Sequence, residues 1–388
     1  MRVLLISTDN PYVTLRGGKH VHLLLLEKGL KILGLEVTSL YYNPKSFKEI
    51  VKRSALSVFS DGFRYKVKLE GMVNYLKDHV PKKEFDIIHA HDVLSLLAVS
   101  SMSQKKVLTL HGYFARENVE FIKSEKSRKT ILPRLLQIEK NAMKKADHVL
   151  TVDQRLKEYI ISEFKYPSDK ITVLHNAVDT SLFTPVSEEK QRDLKRASGF
   201  SANHHVILVP RRLVEKNGVI YAVQAMKHIT YENVIMIIAG DGPERERIKK
   251  EANGDQRIKF VGMIPHDEIV SYYKMADIVV IPSVTSHDIQ EASSLAMLEA
   301  MACGKVVVCS DIGGMKEIIQ NGKTGIFVKE KEPVAIAEAI EGVTKNKNLS
   351  DDMRKKAREY VLQNHSFLVH ASKVLQVYRS VLGEGGSG

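Results

Sequence analysis

Short apolar runs alternate with longer amphipathic segments along the chain. Apolar runs bounded by polar residues predict buried strands, and the segments between them have the spacing of helices. In the first half, the predicted strands cover residues 3–7, 36–41, 87–89, 107–110 and 148–152, and the predicted helices cover residues 22–33, 94–101, 133–146 and 154–164. This alternation is typical of α/β proteins with a parallel sheet.

A polar stretch at residues 187–205 separates this pattern from a second series of elements. A chain of 388 residues exceeds one ordinary core, so we expect two domains. The first comprises residues 1–185 and the second residues 186–360, with residues 361–383 crossing back to the first and residues 384–388 forming a flexible tail. The strands predicted for the second domain cover residues 206–209, 234–239, 258–261, 278–281, 306–310 and 325–328.

The composition, with 44% hydrophobic and 27% charged residues, is typical of a globular protein. Uninterrupted apolar runs stay below the length of about 18 residues that a membrane span needs, and the run at residues 3–6 is too short for a signal peptide. Cys303 and Cys309 form neither a disulfide framework nor a zinc-ligand spacing. We therefore expect a cytoplasmic protein without a metal site.

The net charge of +12 is concentrated in the first half, where residues 1–180 carry 30 basic and 20 acidic side chains. Lys48, Lys52, Arg53 and Arg64 lie among aromatic residues, a mixture that suits an anionic membrane surface. This favours a peripheral position on the cytoplasmic face of a membrane, and a merely solvated basic surface is the alternative. Nucleic acid is not expected as a partner, because the sequence contains no recognition module for it.

Two glutamates, Glu291 and Glu299, flank the predicted start of a helix. If the helix begins near Ser293 or Ser294, Glu299 lies within it and Glu291 lies in the preceding loop. The first N–H groups of the helix then point into the space beside Glu291, and such groups bind anions. The pattern indicates a phosphate site with carboxylates that accept hydrogen bonds from hydroxyls, although two glutamates at this spacing are also common as surface charges.

Basic residues follow the first predicted strand of the second half, namely Arg211, Arg212 and Lys216. Ligands bind at the carboxyl ends of strands in open α/β sheets, and cations there neutralise a diphosphate. Gly17 and Gly18 follow the first strand of the chain, without the full dinucleotide-binding fingerprint. Each of these loops is weak evidence by itself.

Taken in order, the motifs resemble those of glycosyltransferase family 4 from end to end, and the second half is the more diagnostic. The resemblance implies the GT-B fold, in which two Rossmann-like domains face each other across a cleft. The segments that carry it are Gly17-Gly18, Leu110-His111-Gly112, His175-Asn176 with Phe183 and Pro185, Arg211 with Lys216, residues 239–243, residues 260–262, Ala276-Asp277 with Pro282-Ser283, Glu291 with Glu299 and Gly304, and Gly313-Gly314 with Glu317.

The resemblance also implies transfer of a sugar, with retained anomeric configuration, from a UDP- or GDP-sugar to an acceptor hydroxyl, without a metal or cofactor. The basic first half favours a lipid-linked or phosphorylated acceptor, and a soluble sugar is the alternative. The resemblance assigns the family's diphosphate-binding arginine to Arg211 when the motifs are aligned without a gap. Arg212 is the alternative, because an alignment that matches the leucine after it selects Arg212 instead. The resemblance assigns Glu291 and His111 to the donor sugar, Glu299 to the ribose, and Arg211 and Lys216 to the diphosphate. It places Gly18 at the phosphate and the backbone near Ile264 at the base. The backbone of Ser293, Ser294 and Leu295 is also assigned to the donor.

The chain departs from the family pattern around the donor sugar. Ser293-Ser294-Leu295 stands where the family usually has Phe-Gly-Leu, and Ala177, Pro210 and Val306 replace two usual glycines and a usual proline. The departures preserve backbone donors and change the expected pocket shape. Two other functions remain open at this point, a sugar-nucleotide epimerase on the same fold and a non-catalytic module that binds nucleotide sugars.

Overall fold

The computed structural model describes residues 1–13, 17–43, 61–120, 122, 124–286 and 290–384, with the side chains of residues 61–66 and 120 outside this description. The chain divides into two compact units. One unit comprises Met1–His175 and His370–Gly388, and the other comprises Asn176–Val369.

The first unit is built on a six-stranded parallel sheet with the strand order β2-β1-β3-β4-β5-β6. The strand order reverses between β1 and β3, and ligands bind at the carboxyl edge beside such a switch point. The strands are β1 (Arg2–Ser7), β2 (Glu36–Tyr41), β3 (Ile87–Ala90), β4 (Lys105–Leu110), β5 (His148–Thr151) and β6 (Ile171–Val173). The helices between them are α1 (Gly18–Ile32), α2 (Asp61–Asp78), α3 (Val93–Ala98), α4 (Phe114–Glu120), α5 (Glu125–Met143) and α6 (Gln154–Phe164).

The second unit contains another six-stranded parallel sheet, with the order β12-β11-β10-β7-β8-β9. This is the strand order of a Rossmann fold, and its switch point lies between β7 and β10. The strands are β7 (His205–Val209), β8 (Val234–Ala239), β9 (Ile258–Gly262), β10 (Ile278–Ile281), β11 (Val306–Ser310) and β12 (Ile326–Val328). The helices that follow α6 are α7 (Glu188–Ala197), α8 (Val219–Ala225), α9 (Arg245–Ala252), α10 (Ile269–Met275), α11 (Leu295–Ala302), α12 (Pro333–Lys345), α13 (Lys347–Asn364) and α14 (Phe367–Leu382).

The apolar runs form strands because both faces of each sheet are covered. In β7, Val206 and Leu208 belong to one buried cluster and Ile207 and Val209 to another. A strand that is buried on both faces has no polar side to alternate with, so it is apolar throughout. The predicted α/β architecture with two Rossmann-like sheets is confirmed.

The last helix of the chain packs on the first sheet. Ala371, Val374 and Tyr378 of α14 are fully buried in the same cluster as Val3 and Leu5 of β1. The predicted return of the C-terminal segment to the first unit is confirmed. The return begins at His370, whereas α13 remains with the second unit.

Along the chain, the first unit ends at His175 and the second begins at Asn176, ten residues before the boundary expected at residue 185. Val178 and Phe183 are 1% exposed and belong to the core of the second unit. Val178 also forms a β-bridge with Ser366. Burial of these side chains assigns the segment to the second unit, and the polar stretch that follows contains α7 instead of a domain junction.

The structure corrects two other elements. Helix α5 begins at Glu125, not at residue 133, because Ser124 caps it by accepting a hydrogen bond from the Ser127 amide at 3.3 Å, and Pro133 lies inside the helix. Strand β6 was not predicted. It has only three residues, Ile171–Val173, and its length is too short for a periodic pattern.

None of the helices that the structure describes is long and apolar enough to cross a membrane. Lys48, Lys52 and Arg53, which we expected on a membrane-facing surface, lie outside the described residues. Arg64 is part of α2, and its side chain lies outside them as well. The membrane-facing surface therefore stays a prediction.

Glu139 of α5 is a fully buried carboxyl group in the first unit. Its Oε2 accepts hydrogen bonds from the Tyr159 hydroxyl at 3.0 Å and from the Ala115 amide at 3.2 Å. Burial raises the pKa of Glu139 to about 7, and the two hydrogen bonds oppose this rise only in part. The folded state therefore binds a proton more tightly than the unfolded chain, whose glutamates titrate near the ordinary value of about 4.3.

We expect Glu139→Gln to change how stability depends on pH. The free energy of unfolding of the variant, relative to that of the wild type, should be larger at high pH than at low pH. Because the folded pKa lies above the unfolded one, the wild type loses stability as the pH rises from about 4.5 to about 7. The variant cannot titrate there, so its relative free energy of unfolding should rise by on the order of 2 kcal/mol between pH 5 and pH 8.

Urea unfolding of both proteins at these two pH values measures this difference. Glu125→Gln provides a matched control, since Glu125 is an exposed glutamate of the same helix. An identical wild-type-to-variant difference at both pH values would contradict the shifted pKa of Glu139.

Candidate donor-binding site

Arg211 lies just beyond the carboxyl end of β7, at the switch point of the second sheet. Its side chain is 9% exposed, and its guanidinium donates to four side chains. The partners are Asn217 Oδ1 at 2.7 Å, Ser283 Oγ at 3.0 Å, Glu291 Oε2 at 2.7 Å and Ser294 Oγ at 3.1 Å. The pairing compensates for removing the cation from water, which otherwise costs several kcal/mol.

Two glycines let the backbone segments around Arg211 approach each other. A Cβ atom on Gly240, which follows β8, would overlap the carbonyl oxygen of Arg211. A Cβ atom on Gly218 would overlap the carbonyl oxygen of Pro282, and Gly218 also adopts a φ of 60° that favours glycine. A side chain at either position would therefore push these backbone segments apart.

Two glycine amides hold the loop that carries Glu291 in place. The Gly314 amide donates to the carbonyl oxygen of Glu291 at 3.0 Å, and the Gly313 amide donates to Gln290 Oε1 at 3.1 Å. The Glu291 side chain is 20% exposed. Its carboxylate is thus bound to Arg211 on one side and reachable from solvent.

Helix α11 begins at Leu295 with Ser294 as its N-cap residue, so the predicted helix start is confirmed. Both serines in the departure from the family motif are buried, and their hydroxyls contact protein atoms. Ser294 Oγ accepts from Arg211, and Ser293 Oγ accepts from the Asn176 amide at 3.1 Å. Backbone N–H groups in the first turn of a helix have no partner within the helix, which leaves them for an anion.

Glu299 lies in the middle of α11 and is 5% exposed. The Tyr273 hydroxyl donates a hydrogen bond to it, and His266 Nδ1 lies 3.8 Å from its Oε1. Burial raises the pKa of Glu299 to about 8, so in this state the carboxyl group is mostly protonated at neutral pH. Glu299 and Glu291 thus differ in charge although both were selected by the same sequence pattern.

The two rival arginines have different environments. Arg211 is buried in the network described above, whereas Arg212 is exposed and its carbonyl oxygen accepts from Asn217 Nδ2 at 2.7 Å. Lys216 is exposed in the following turn. Ile264, in the loop after β9, is partly buried against the core of this unit.

In the first unit, Gly17 and Gly18 begin α1 at the carboxyl edge of the sheet, and a Cβ atom on either glycine would meet open space. The next residue, Lys19, forms ion pairs with Asp92 at 3.1 Å and with Asp9 at 2.7 Å. These pairs fix the start of the helix beside the glycines.

His111 follows β4 and lies beside two other histidines of the first unit. Its ring centroid is 4.6 Å from that of His22 on α1 and 5.9 Å from that of His91 after β3. Burial lowers the pKa of both His91 and His111 well below the ordinary value, so both imidazoles are neutral at pH 7.

Sequence reasoning selected Arg211, Glu291 and Ser294, and the structure brings these three together. It missed Asn217, which accepts from Arg211, and Tyr273, which donates to Glu299. It also missed His22 and His91, which lie beside His111 in the first unit. The proximity of Asn217 to Gly218 and the His89-Ala90-His91 spacing at a strand end were the available signals.

Two family profiles match the chain. The profile described as Glycosyl transferases group 1 matches residues 190–360, and the profile described as Glycosyltransferase Family 4 matches residues 16–182. Together they span both units of the structure. An uncharacterised glycosyltransferase of Methanocaldococcus jannaschii is 32% identical over 236 residues, which is 60% of this chain and 59% of that protein.

Solved structures are similar over the whole chain. Sucrose-phosphate synthase from Thermosynechococcus elongatus matches with a TM-score of 0.78 and 22% identity, covering 99% of this chain and 100% of that one. The Anabaena protein HepE, solved in complex with UDP-glucose, matches with a TM-score of 0.72 and 19% identity over 98% of this chain and 100% of that one. These likenesses show the GT-B fold. The two family profiles, which match residues 16–182 and 190–360, show that the chain belongs to glycosyltransferase family 4.

Proposed function

We propose that this protein is a retaining, metal-independent glycosyltransferase that moves a sugar from a UDP- or GDP-sugar to an acceptor hydroxyl. The observation that carries the proposal is the paired Arg211 and Glu291 beside the first turn of α11, at the switch point of the second sheet. This edge is where ligands bind in open parallel sheets. HepE, a protein of the same fold, was solved in complex with UDP-glucose, and this supports a nucleotide sugar as the donor.

The donor diphosphate is assigned to Arg211, Lys216 and the helix amides. Glu291 already neutralises much of the Arg211 charge, so the exposed Lys216 and the start of α11 must supply further positive potential. Such groups do the work that a divalent cation does in metal-dependent enzymes. Arg211 then links the diphosphate to Glu291, whose carboxylate accepts from hydroxyls of the donor sugar.

Glu299 is assigned to the ribose diol. Two adjacent hydroxyls donate hydrogen bonds best to an ionised carboxylate, which has two acceptor oxygens. Binding of the donor therefore favours the charged form of a group that is mostly protonated beforehand. The Gly18 amide approaches the phosphate, and the backbone near Ile264 contacts the base, as the family resemblance implies.

The chemical step is departure of the nucleotide diphosphate while the acceptor hydroxyl attacks the same face of the sugar. Negative charge grows on the leaving oxygen, so groups that bind it more tightly in the transition state accelerate the reaction. His111 contacts the donor sugar in this proposal. The basic first half favours a lipid-linked or phosphorylated acceptor.

A donor screen tests this function directly. The protein is incubated with UDP- and GDP-sugars, alone, with a lipid extract, and with an aqueous extract of sugar phosphates, and released diphosphate and new glycoside are measured. We expect release that depends on an acceptor extract and is unchanged by EDTA. A new sugar nucleotide without an acceptor would indicate an epimerase, and binding without turnover would indicate a binding module. Loss of activity in EDTA that magnesium restores would contradict metal independence.

We expect Arg211→Lys and Lys216→Ala each to lower kcat/KM by on the order of 100-fold. A strong electrostatic contact to growing charge contributes about 2–4 kcal/mol, and lysine cannot reproduce the fork of hydrogen bonds that Arg211 makes. Steady-state kinetics measures the loss, and thermal unfolding checks that the variants remain folded.

Arg212→Ala is the matched control, because Arg212 adjoins Arg211 and is exposed. Its kcat/KM should stay within about threefold of the wild type, since an exposed charge outside the network contributes little. A large loss in Arg212→Ala with little loss in Arg211→Lys would transfer the diphosphate assignment to Arg212.

Donor affinity should rise with pH up to about 8. The pKa of Glu299 is about 8 without donor, and the ribose contact requires the ionised form, so protonation competes with binding below that pH. The dissociation constant should change by up to about tenfold for each pH unit below 8. Calorimetry with the donor found in the screen, from pH 6.5 to pH 8.5, measures this slope.

Glu299→Gln should bind the donor weakly and with a flat pH profile. Glu268→Gln serves as the control, because Glu268 is an exposed glutamate of the same unit. A wild-type affinity that is constant across the range would contradict the role of an ionised Glu299.

A further inference from the structure

Three histidines from separate parts of the chain meet at the carboxyl edge of the first sheet. His22 lies on α1, which follows β1, and His91 and His111 follow β3 and β4. Each offers one ring nitrogen, and these three nitrogens lie within 4.8 Å of one another. The edge includes the switch point of this sheet, between β1 and β3, where ligands bind in such folds.

His22 and His91 are buried and His111 is partly buried, and two of the three have ring nitrogens without a hydrogen-bond partner among the described residues. His91 is 1% exposed, and neither of its ring nitrogens has a hydrogen-bond partner among the described residues. The same holds for Nε2 of His111 within the part of the chain that the structure describes. A buried polar atom without a partner destabilises the folded state, so an arrangement with several of them favours a ligand that accepts their lone pairs.

We propose that His22, His91 and His111 bind one first-row transition metal ion, such as Zn²⁺. Neutral imidazole is a preferred ligand of zinc, at about 2.0–2.1 Å from nitrogen to metal, and three ligands leave one position of a tetrahedral site for water. Magnesium and calcium prefer oxygen ligands and are not expected here.

The ring positions fit such a site after small side-chain rotations. Rings bound to one tetrahedral ion have centroids about 5 Å apart, and the observed separations are 4.6, 5.6 and 5.9 Å. Ligand nitrogens of such an ion lie about 3.4 Å apart, and the three nitrogens already lie within 4.8 Å of one another, so each gap closes by at most about 1.4 Å on binding. Each helix or loop contributes one histidine, and rotation about side-chain torsions provides this movement.

The site has a functional consequence that rests on the proposed function. His111 contacts the donor sugar in that proposal, and a metal ion bound to its lone pair removes this contact. Zinc then inhibits transfer reversibly, although the reaction itself needs no metal. Ion binding and inhibition are separate measurements, so the metal site remains testable if the chain transfers no sugar.

Binding is measured first on the full chain, after treatment with a chelator and its removal. Titration with Co²⁺ should give the visible absorption of a tetrahedral cobalt ion, and this absorption should saturate at one ion per chain. Added Zn²⁺ should displace the cobalt and abolish the absorption. X-ray absorption of the zinc complex should show about three imidazole nitrogens at about 2.0 Å. Saturable binding with oxygen ligands only, or no binding of either ion, would overturn the proposal.

Variants identify the ligands. His91→Gln and His22→Gln should each weaken zinc binding at least tenfold, and the second variant provides the answer if the first does not fold. His79→Gln is the matched control, because His79 belongs to the same unit, stacks on Tyr75 and is not one of the three grouped histidines. Equal affinity in all three variants would place the ion elsewhere and overturn the proposal.

Inhibition is tested with the donor and acceptor found in the screen. Zinc should inhibit the wild type, EDTA should restore activity, and the inhibitory concentration should rise at least tenfold in His91→Gln and not in His79→Gln. If the chain binds zinc at the histidines and transfer is unaffected, the site is upheld and the sugar contact of His111 is wrong. If the chain shows no transfer at all, the proposed function fails and the binding results stand.

Discussion

The buried guanidinium of Arg211 ties four segments of the second unit together. Its hydrogen bonds reach the turn before α8, the end of β10, the Glu291 loop and the cap of α11. A cation with so little exposure must be paired, because unpaired it would lose its hydration without compensation. The network therefore fixes the positions of Glu291 and of the helix start at the same time.

Both units place their polar chemistry at the carboxyl edge of a parallel sheet. Most of the strand residues are apolar and buried between the covering layers, so the sheet interior offers no position for a ligand. Only the residues just past the strand ends reach open space, and the switch point separates the loops enough for a ligand. Arg211 occupies that edge in one unit, and the histidine cluster occupies it in the other.

Burial sets which of these groups carry charge before a ligand arrives. Arg211 and Glu291 form an ion pair with each other. Burial raises the pKa of Glu299 to about 8 and lowers the pKa values of His91 and His111, so these groups are mostly neutral at pH 7. Neutral groups in a low-dielectric site gain charge or bind an ion only when the ligand compensates the lost hydration.

The sequence by itself determined the fold class, most of the strands and the start of α11, because periodicity and capping depend on neighbouring residues. It also selected Arg211 and Glu291, through motif spacing. It left the choice between Arg211 and Arg212 open, since adjacent arginines have the same local pattern and only packing buries one of them. The unit boundary at His175, the difference in charge between Glu291 and Glu299, and the meeting of His22, His91 and His111 were decided by the tertiary structure. Each depends on desolvation or on contact between residues far apart in the chain, and neither can be predicted from neighbouring residues in the sequence.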